Sequence, residues 1–200
     1  VQAALPLIAD WLPTQRWFGG KGRAWASVTE DGFLLDKADP VLSVHRIRIT
    51  YADGGREVYL VPLSWRDHAV EELSSALIGI VPSEGRETFA YDAMRDRDAT
   101  ATWLDHMVAG DTVGPLQFHP AEPEGIPHGI PGDIVSTEQS NTSLVYGDRA
   151  ILKLFRRLEP GMNPDVEIHD ALRRTHNEHI APLLGYIAIE PKDPALPMCT

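Results

Sequence analysis

The sequence is poor in cysteine, in positive charge and in long apolar runs. Cys199 is the single cysteine among 200 residues, which excludes an internal disulfide and fits a reducing, cytoplasmic compartment. The 18 Lys and Arg residues stand against 29 Asp and Glu, and the net charge of −11 argues against an electrostatic nucleic-acid or anionic-membrane surface. No apolar run is long enough for a transmembrane helix. The composition therefore indicates an ordinary globular protein with one large domain or two small ones.

Several catalytic and targeting signatures are also missing. The sequence contains no Gly-x-Ser-x-Gly motif and no Cys/His nucleophile pair. The eight histidines do not combine with Cys199 in the spacing of a zinc site. The first residues lack the basic leader of a signal peptide, and the chain starts without methionine and stops without a closing element. We interpret it as a piece of a longer protein.

The first eighty-five residues predict a β-rich subdomain. Residues 2–11 have the spacing of a short amphipathic helix, which Pro13 ends. Residues 26–35 are a candidate first strand. Alternation follows along residues 42–51 and 56–63, and Asp53-Gly54-Gly55 between these two is typical of a hairpin turn. We predict strands over residues 26–35, 42–51 and 56–63. Residues 1–85 are accordingly predicted to form an N-terminal cap subdomain, which precedes a second unit over residues 86–200.

The middle of the chain predicts helices. Residues 69–80 have a weak helical pattern, and residues 87–109 have a better one whose apolar face includes Phe89 and Trp103. The charged run 95–98 is a candidate break in that helix and a solvated corner. Gly110 is a suitable C-cap. A short strand over 116–119 and a connection rich in proline and glycine over 120–132 follow.

The last seventy residues switch to a β-β-β-α-β pattern. We predict strands over residues 133–135, 143–146 and 149–155, with Gly147-Asp148 as a turn. Asn163 is a good N-cap and Pro164 a good first residue for a helix over residues 164–175. Residues 180–189 predict one strand or a strand pair around Gly185. The whole is an α+β fold in which an antiparallel sheet is combined with one key helix.

Lys153 is the most informative residue. It lies in an apolar strand that we expect to be buried on both faces, and a charge in such a strand needs a partner. Glu167 follows fourteen residues later, just inside the predicted helix. A strand lysine with a helix glutamate is the arrangement by which kinase-like folds hold nucleotide phosphates. Ile151 shares the face of Lys153, since alternate strand residues point the same way, and is placed to cover an adenine. The alternative is a lysine that snorkels at a sheet edge.

Polar residues precede that strand and are candidates for a phosphate-binding loop over residues 136–142. Its hydroxyls, amides and backbone N–H groups have the chemistry to meet phosphate, although the loop lacks the glycines of protein kinases. The candidate ligands are Ser136, Gln139, Ser140, Asn141 and Thr142. The alternative is an ordinary polar hairpin turn. Arg156 and Arg157 after the strand either neutralise phosphate or are solvated, and we expect them to be solvated.

The N-terminal run Gln15-Arg16-Trp17-Phe18-Gly19-Gly20-Lys21-Gly22-Arg23 combines glycines and cations, as an anion-binding nest does. It lacks the Gly-Lys-Ser/Thr ending of a P-loop. We favour a turn that Trp17 and Phe18 anchor to the core.

Four segments together resemble the actinobacterial maltokinases, and the likeness spans most of the chain. They are residues 15–23, Glu138-Gln139-Ser140-Asn141-Thr142-Ser143, residues 150–157 (Ala-Ile-Leu-Lys-Leu-Phe-Arg-Arg) and Asn163-Pro164-Asp165-Val166-Glu167. The resemblance implies a eukaryotic-protein-kinase-like N-lobe behind an N-terminal cap. It implies a phosphotransferase with an alcohol group as acceptor that makes maltose 1-phosphate from ATP and maltose with Mg²⁺, in α-glucan synthesis from trehalose. Glucosamine kinases form a sister group, and trehalose synthase is the partner that the resemblance implies.

For individual residues, the resemblance implies that Lys153 and Glu167 are the phosphate-binding pair and that residues 136–142 form the phosphate loop. The catalytic and metal-binding aspartates of such kinases belong to a C-terminal lobe that these motifs do not include. We therefore expect no catalytic residue and no activity in this chain alone. A second hypothesis is a non-catalytic cap module that docks a partner through Trp11, Trp17, Trp25 and Trp65.

Overall fold

The computed structural model describes residues 4–83, 85–137, 141–173 and 179–189. In these residues the chain forms three α-helices, twelve strands and four short 3-10 helices. The α-helices are α1 (Ala4–Trp11), α2 (Arg97–Ala109) and α3 (Pro164–Arg173). The strands are β1 (Trp25–Asp36), β2 (Val41–Tyr51), β3 (Arg56–Arg66), β4 (Leu77–Ser83), β5 (Arg86–Asp92), β6 (Thr112–Val113), β7 (Leu116–Pro120), β8 (Asp133–Thr137), β9 (Asn141–Tyr146), β10 (Ala150–Phe155), β11 (Arg157–Leu158) and β12 (Gly185–Ile189). The 3-10 helices are Leu12–Thr14, Glu71–Ala76, Ala93–Arg95 and Pro123–Gly125.

The strands form three antiparallel sheets. In the large sheet the order is β1-β2-β3-β5-β4, and β11 pairs with β3. The small sheet has the order β10-β9-β8, and a third sheet has the order β12-β7-β6. The predicted turn at Asp53-Gly54-Gly55 is confirmed, because Tyr51 N–H donates to Gly55 C=O over 2.8 Å where β2 turns into β3.

The large sheet is buried on both faces. Since strand side chains alternate, Ile47 and Val61 point to one face and Val44 and Leu60 to the other. The first face packs against α1 and the aromatic side chains near it. The second face packs against α2 and joins the core of the small sheet. The large sheet and the small sheet therefore share one continuous hydrophobic cluster through α2.

Helix α2 starts and ends as the capping rules require. Asp96 is its N-cap, with a side chain that accepts from Asp98 N–H, and Gly110 adopts the left-handed conformation (φ 65°) at the C-cap. Trp103 is 1% exposed and packs beside Phe118 of β7. Tyr146 of β9 donates to Thr100 C=O over 2.8 Å, which ties the small sheet to this helix.

Of the two helix predictions in the middle of the chain, the one over residues 69–80 is wrong and the one over residues 87–109 is confirmed only over residues 97–109. Residues 86–92 are strand β5, and the helix starts only at Arg97. The predicted helix over residues 69–80 is a 3-10 helix followed by strand β4. The two strands form a hairpin around Gly85, which has a positive φ of 81°. Pairing between β4 and β5, and of β5 with β3, overrides the helical patterns of both segments. The charged run is also not fully solvated, since Asp96 is buried against Arg66.

The strands and helix of the C-terminal part are confirmed where the structure describes them. β8, β9 and β10 follow the predicted order, and Asn163 Oδ1 accepts from Asp165 N–H over 2.8 Å at the start of α3. Residues 174–175 of the predicted helix lie outside the described residues. One strand, β12, forms from Gly185 and pairs with β7. The architecture is mixed and β-rich, and the kinase-like N-lobe stays a prediction.

The predicted division at residue 85 falls inside the β4–β5 hairpin, whose second strand lies in the large sheet next to β3. β11, from the second predicted unit, also joins that sheet. The assignment of two units stays a prediction. In the part of the chain that the structure describes, no helix is long and apolar enough to cross a membrane.

Candidate functional site

Lys153 and Ile151 lie together on an open face of the small sheet, the face away from α2. Leu144 and Leu154 point to the opposite face and are buried in the shared core. Ile151 is 65% exposed and the Lys153 side chain 47% exposed. The expectation that this strand is buried on both faces is therefore wrong, because in the described residues only its inner face is covered by the core. We call the face that carries Ile151 and Lys153 the outer face.

The ammonium of Lys153 pairs with Asp165 and not with Glu167, which corrects the predicted partner. Lys153 Nζ donates to Asp165 Oδ2 over 3.1 Å, and both side chains are about half exposed. Glu167 is also exposed and lies in the same first turn of α3. The capping bond of Asn163 places Asp165 at the helix start, next to the end of β10. Lys153 and the start of α3 are thus close together, as the sequence indicates. The carboxylate that contacts Lys153 is that of Asp165, two residues before Glu167.

The candidate phosphate loop is divided by the structure. Ser136 and Thr137 form the end of β8, whereas Gln139 and Ser140 lie outside the described residues. Asn141 and Thr142 begin β9 and are buried.

The side chains of Asn141 and Thr142 are engaged within the protein. Asn141 Nδ2 donates to Ser143 Oγ over 3.3 Å, and Thr142 Oγ1 accepts from Arg156 Nε over 3.0 Å. In the β9–β10 register Thr142 pairs with Leu154, and Lys153 pairs with Ser143. Thr142 therefore faces the core, on the side of the sheet opposite to Lys153.

Arg156 is a buried charge that the sequence-based expectation of a solvated arginine missed. Its side chain is 1% exposed, and Nη2 donates to Asp92 Oδ1 and Oδ2 over 2.8 and 2.7 Å. Its guanidinium carbon also lies 5.1 Å from the ring centre of Trp17. The signal was present in the register, since Arg156 follows the inward-facing Leu154 by two residues, and an inward arginine requires an acidic partner.

The motif of residues 15–23 is anchored to the large sheet, as favoured from the sequence. Trp17 and Phe18 are 5% and 3% exposed and contact the Tyr59 ring at 6.0 and 5.1 Å between centroids. Gly19 N–H donates to Tyr59 Oη over 3.1 Å. Arg23 is held by Asp53 and stacks 3.6 Å above Tyr51. Of the motif's cations, Arg23 is thus engaged within the protein.

Glu57 is a buried carboxylate that two tyrosines and two arginines surround beneath that motif. Its Oε2 accepts from Tyr51 and, over 2.6 Å, from Tyr59, and its Oε1 lies 3.5 Å from both Arg23 Nη1 and Arg157 Nη1. Burial alone would raise the pKa of Glu57, but the tyrosine hydrogen bonds and the two arginine charges outweigh burial and lower that pKa. Burial and the bond to Glu57 raise the pKa of Tyr59 to about 12. The ionised carboxylate thus joins the motif to β11.

A second buried network on the large sheet has the order Ser–His–Glu. Ser43 Oγ lies 2.7 Å from His45 Nε2, and His45 Nδ1 contacts Glu30. Trp65 Nε1 donates to Ser43 over 2.6 Å. Ser43 and His45 are both 0% exposed, so no substrate reaches the hydroxyl, and the network has a packing role.

The tryptophans near the N-terminus contribute mainly to packing. Trp17 is buried, and Trp11, Trp25 and Trp65 are partly buried against the same cluster. Among the described residues, no group of three or more His, Cys, Asp or Glu side chains is arranged to hold a metal ion.

The region that contains α1 and the large sheet is thus a β-rich unit built on one antiparallel sheet. Residues 11–96 match the family model of the maltokinase N-terminal cap domain. This match supports a maltokinase-family N-terminal region, as the resemblance implied. It ends at Asp96, before the small sheet and Lys153.

Proposed function

We propose that this chain is the cap and the nucleotide-binding part of an ATP-dependent sugar kinase. The observation that carries the proposal is Lys153, an exposed ammonium beside exposed Ile151 on the outer face of a sheet that packs against a maltokinase-type cap region. The reaction is transfer of the γ-phosphoryl group of ATP to a sugar hydroxyl. Maltose is the first acceptor that we propose, and glucosamine is the alternative.

The outer face has the two features that a nucleotide requires. Ile151 offers apolar surface for the flat face of an adenine, and Val135 of β8, at the other edge of the same sheet, is also exposed, to 59%. Lys153 offers a positive charge that phosphate oxygens attract. Its ion pair with Asp165 is half exposed, and such pairs contribute only about 0–1 kcal/mol, so the ammonium is free to turn to a phosphate at small cost.

The buried carboxylate and arginine clusters fit a supporting role. Arg156 and Arg157 are both engaged with carboxylates of the large sheet, so in our proposal they hold the strand that carries Lys153 and leave the phosphates to Lys153. Mg²⁺, bound with ATP, would neutralise the developing charge on the transferred phosphoryl group. None of the residues that we assign here is its ligand. Trehalose synthase is the partner that we propose for the full-length system.

Titration of ATP into this chain, with and without Mg²⁺, tests the proposal. We expect weak saturable binding and at least a tenfold higher Kd for Lys153→Ala, since one charge-assisted contact contributes on the order of 1.5–3 kcal/mol. Lys37→Ala is the matched control, because Lys37 is an exposed lysine between β1 and β2 of the large sheet. An equal Kd for wild type and Lys153→Ala would contradict the proposal.

A further inference from the structure

We infer that Asp92, a residue of the large sheet, is a positioning residue for the outer face of the small sheet and acts through Arg156. The inference rests on the proposed function, because it concerns the same candidate nucleotide site. Asp92 ends β5 and lies in the region that matches the maltokinase cap. It does not itself reach the outer face, since its side chain is 5% exposed and engaged with Arg156.

The geometry of the link leaves little freedom to β9 and β10. The two N–H···O bonds from Arg156 Nη2 end on the two oxygens of Asp92, and Nε donates to Thr142 over 3.0 Å. A planar guanidinium that meets a carboxylate and a hydroxyl from different sheets fixes the mutual orientation of both. Arg156 therefore connects β5, β9 and the end of β10 through one side chain.

The backbone strengthens the same connection. Leu60 N–H of β3 donates to Arg156 C=O over 2.7 Å, and the next two residues pair with β3 as β11. The chain therefore passes directly from the small sheet into the large sheet at Arg156. Lys153 lies three residues before this point, and its register partner Ser143 follows Thr142. A displacement of Thr142 or Arg156 would thus be passed to the strand pair that presents Lys153.

Burial makes the arrangement selective for one geometry. Arg156 and Asp92 are 1% and 5% exposed, and charges removed from water require close pairing. The Trp17 ring lies 5.1 Å from the guanidinium carbon, so the indole of the N-terminal motif covers the pair on one side. The N-terminal motif, the large sheet and the small sheet consequently meet at a single ion pair.

The test compares Asp92→Asn with the double variant Asp92→Leu/Arg156→Met and measures Tm and the Kd for ATP. Asp92→Asn leaves the arginine buried without its counter-charge, so we expect a lower Tm and a Kd at least tenfold higher. The double variant removes both charges, and a buried pair replaced by apolar residues commonly regains stability. We therefore expect its Tm to return to near the wild-type value while its Kd stays at least fivefold higher.

Glu30→Gln is the control, since Glu30 is an acidic partner of buried His45 and this contact stays within the same large sheet. We expect this variant to lower the Tm and leave the Kd for ATP unchanged. An equally raised Kd for Glu30→Gln would contradict a specific role of Asp92. Recovery of both Tm and Kd in the double variant would show that the pair only stabilises the fold, and would overturn the inference.

Amide hydrogen exchange of residues 141–155 without nucleotide separates this inference from the proposed function. We expect exchange in the double variant to be at least tenfold faster than in wild type, because Thr142 has lost its donor. Unchanged exchange would overturn the positioning role, whatever the result with ATP. Absence of saturable ATP binding by the wild-type chain would overturn the proposed function and, with it, the nucleotide role of Asp92.

Discussion

The junction between the two sheets and the outer face of the small sheet use their cations in opposite ways. The side chain of Arg156, between β10 and β11 where the small sheet meets the large one, is buried, and its Nη2 donates to both oxygens of Asp92. Lys153, three residues earlier, is half exposed and holds Asp165 through a single contact. Arginine presents a rigid planar fork that suits a fixed buried pair, whereas the lysine ammonium is a flexible point charge. The charge of Arg156 is thus satisfied within the protein, whereas the ammonium of Lys153 stays half exposed, as the proposed nucleotide site requires.

The same contrast appears in the apolar side chains. The large sheet packs a hydrophobic cluster against each face. In the small sheet, Ile151 on the outer face is 65% exposed, and Val135 of β8 is 59% exposed. An apolar surface left open beside a charge is the kind of surface that binds a ligand with an apolar and an anionic part. Variants that distinguish the role of one sheet from the role of the other are therefore the sharpest tests.

The largest effect is expected for Trp103→Ala, which removes a fully buried indole from the core that the two sheets share. The free energy of unfolding should fall by about 3–5 kcal/mol, since a cavity remains beside Phe118. Urea unfolding followed by circular dichroism measures it. Trp103→Phe should lower the free energy of unfolding clearly less. A decrease under about 1 kcal/mol for Trp103→Ala would contradict a shared core.

Gly20→Ala should be the next most damaging, because its backbone lies against the aromatic cluster of the large sheet. An added Cβ would come within 2.0 Å of Tyr51 Oη and 2.6 Å of Phe18 Cζ. Overpacking of this kind costs about 1–3 kcal/mol. Gly22→Ala is the control, since it meets no atom within 4 Å and carries only the strain of its positive φ, about 1 kcal/mol. Urea unfolding measures both variants. If Gly20→Ala lowers the free energy of unfolding no more than Gly22→Ala does, the packing of residues 15–23 against the large sheet is contradicted.

The Glu57 cluster predicts a loss of stability at high pH. The pKa of Tyr59 is raised from its ordinary value of 10.0 to about 12, so the folded state favours the neutral phenol. The resulting stability is complete below pH 10 and is lost as the pH rises towards 12. Between pH 9 and 12, the free energy of unfolding of Tyr59→Phe should fall by about 2 kcal/mol less than that of wild type. Urea unfolding at a series of pH values measures it. Equal pH dependence in both proteins would be inconsistent with the cluster.

The two carboxylates of α3 should differ in their effect on ATP binding. Asp165→Asn removes the contact that holds Lys153 at 3.1 Å and should change the Kd for ATP by about threefold, in line with exposed pairs of about 0–1 kcal/mol. Glu167→Gln should change it less. The reverse order would restore Glu167 as the partner of the lysine in the nucleotide-bound state. Isothermal titration of the two variants against wild type decides between these outcomes.

The smallest effect on stability is expected for Ile151→Ala. Because this side chain is 65% exposed, the free energy of unfolding should change by less than about 0.5 kcal/mol. The Kd for ATP should nevertheless rise severalfold, since burial of the removed apolar groups by adenine contributes about 0.8 kcal/mol per CH₂. A large loss of stability with unchanged ATP affinity would show that the outer face is covered within the protein.

Local signals in the sequence predicted part of this fold. The Asp53-Gly54-Gly55 turn and the Asn163-Pro164 helix start are each specified by a few adjacent residues, and both are confirmed. The β4–β5 hairpin was missed because β4 is stabilised by pairing with β5, and β5 by pairing with both β4 and β3, rather than by any pattern within its own segment. The propensity of a single segment does not indicate which other strand the segment pairs with.

The candidate site was predictable to a similar extent. The proximity of Lys153 to the start of α3 followed from strand, turn and capping signals. The inward direction of Arg156 could be read from its spacing to Leu154, but the identity of its partner could not, because Asp92 lies 64 residues earlier and no local spacing connects them. The inward face of Thr142 follows from the β9–β10 register, which a shift of one residue would reverse.

The most direct measurement is a titration of the ¹⁵N-labelled chain with ATP and Mg²⁺, with the amide signals followed by NMR. Binding at the outer face should shift the signals of Ser143, Val145, Ile151 and Lys153 together and saturably, while those of Ile47 and Ile49 in the large sheet stay in place. Shifts confined to the large sheet, or no saturable shift in the small sheet, would contradict a nucleotide site at Lys153.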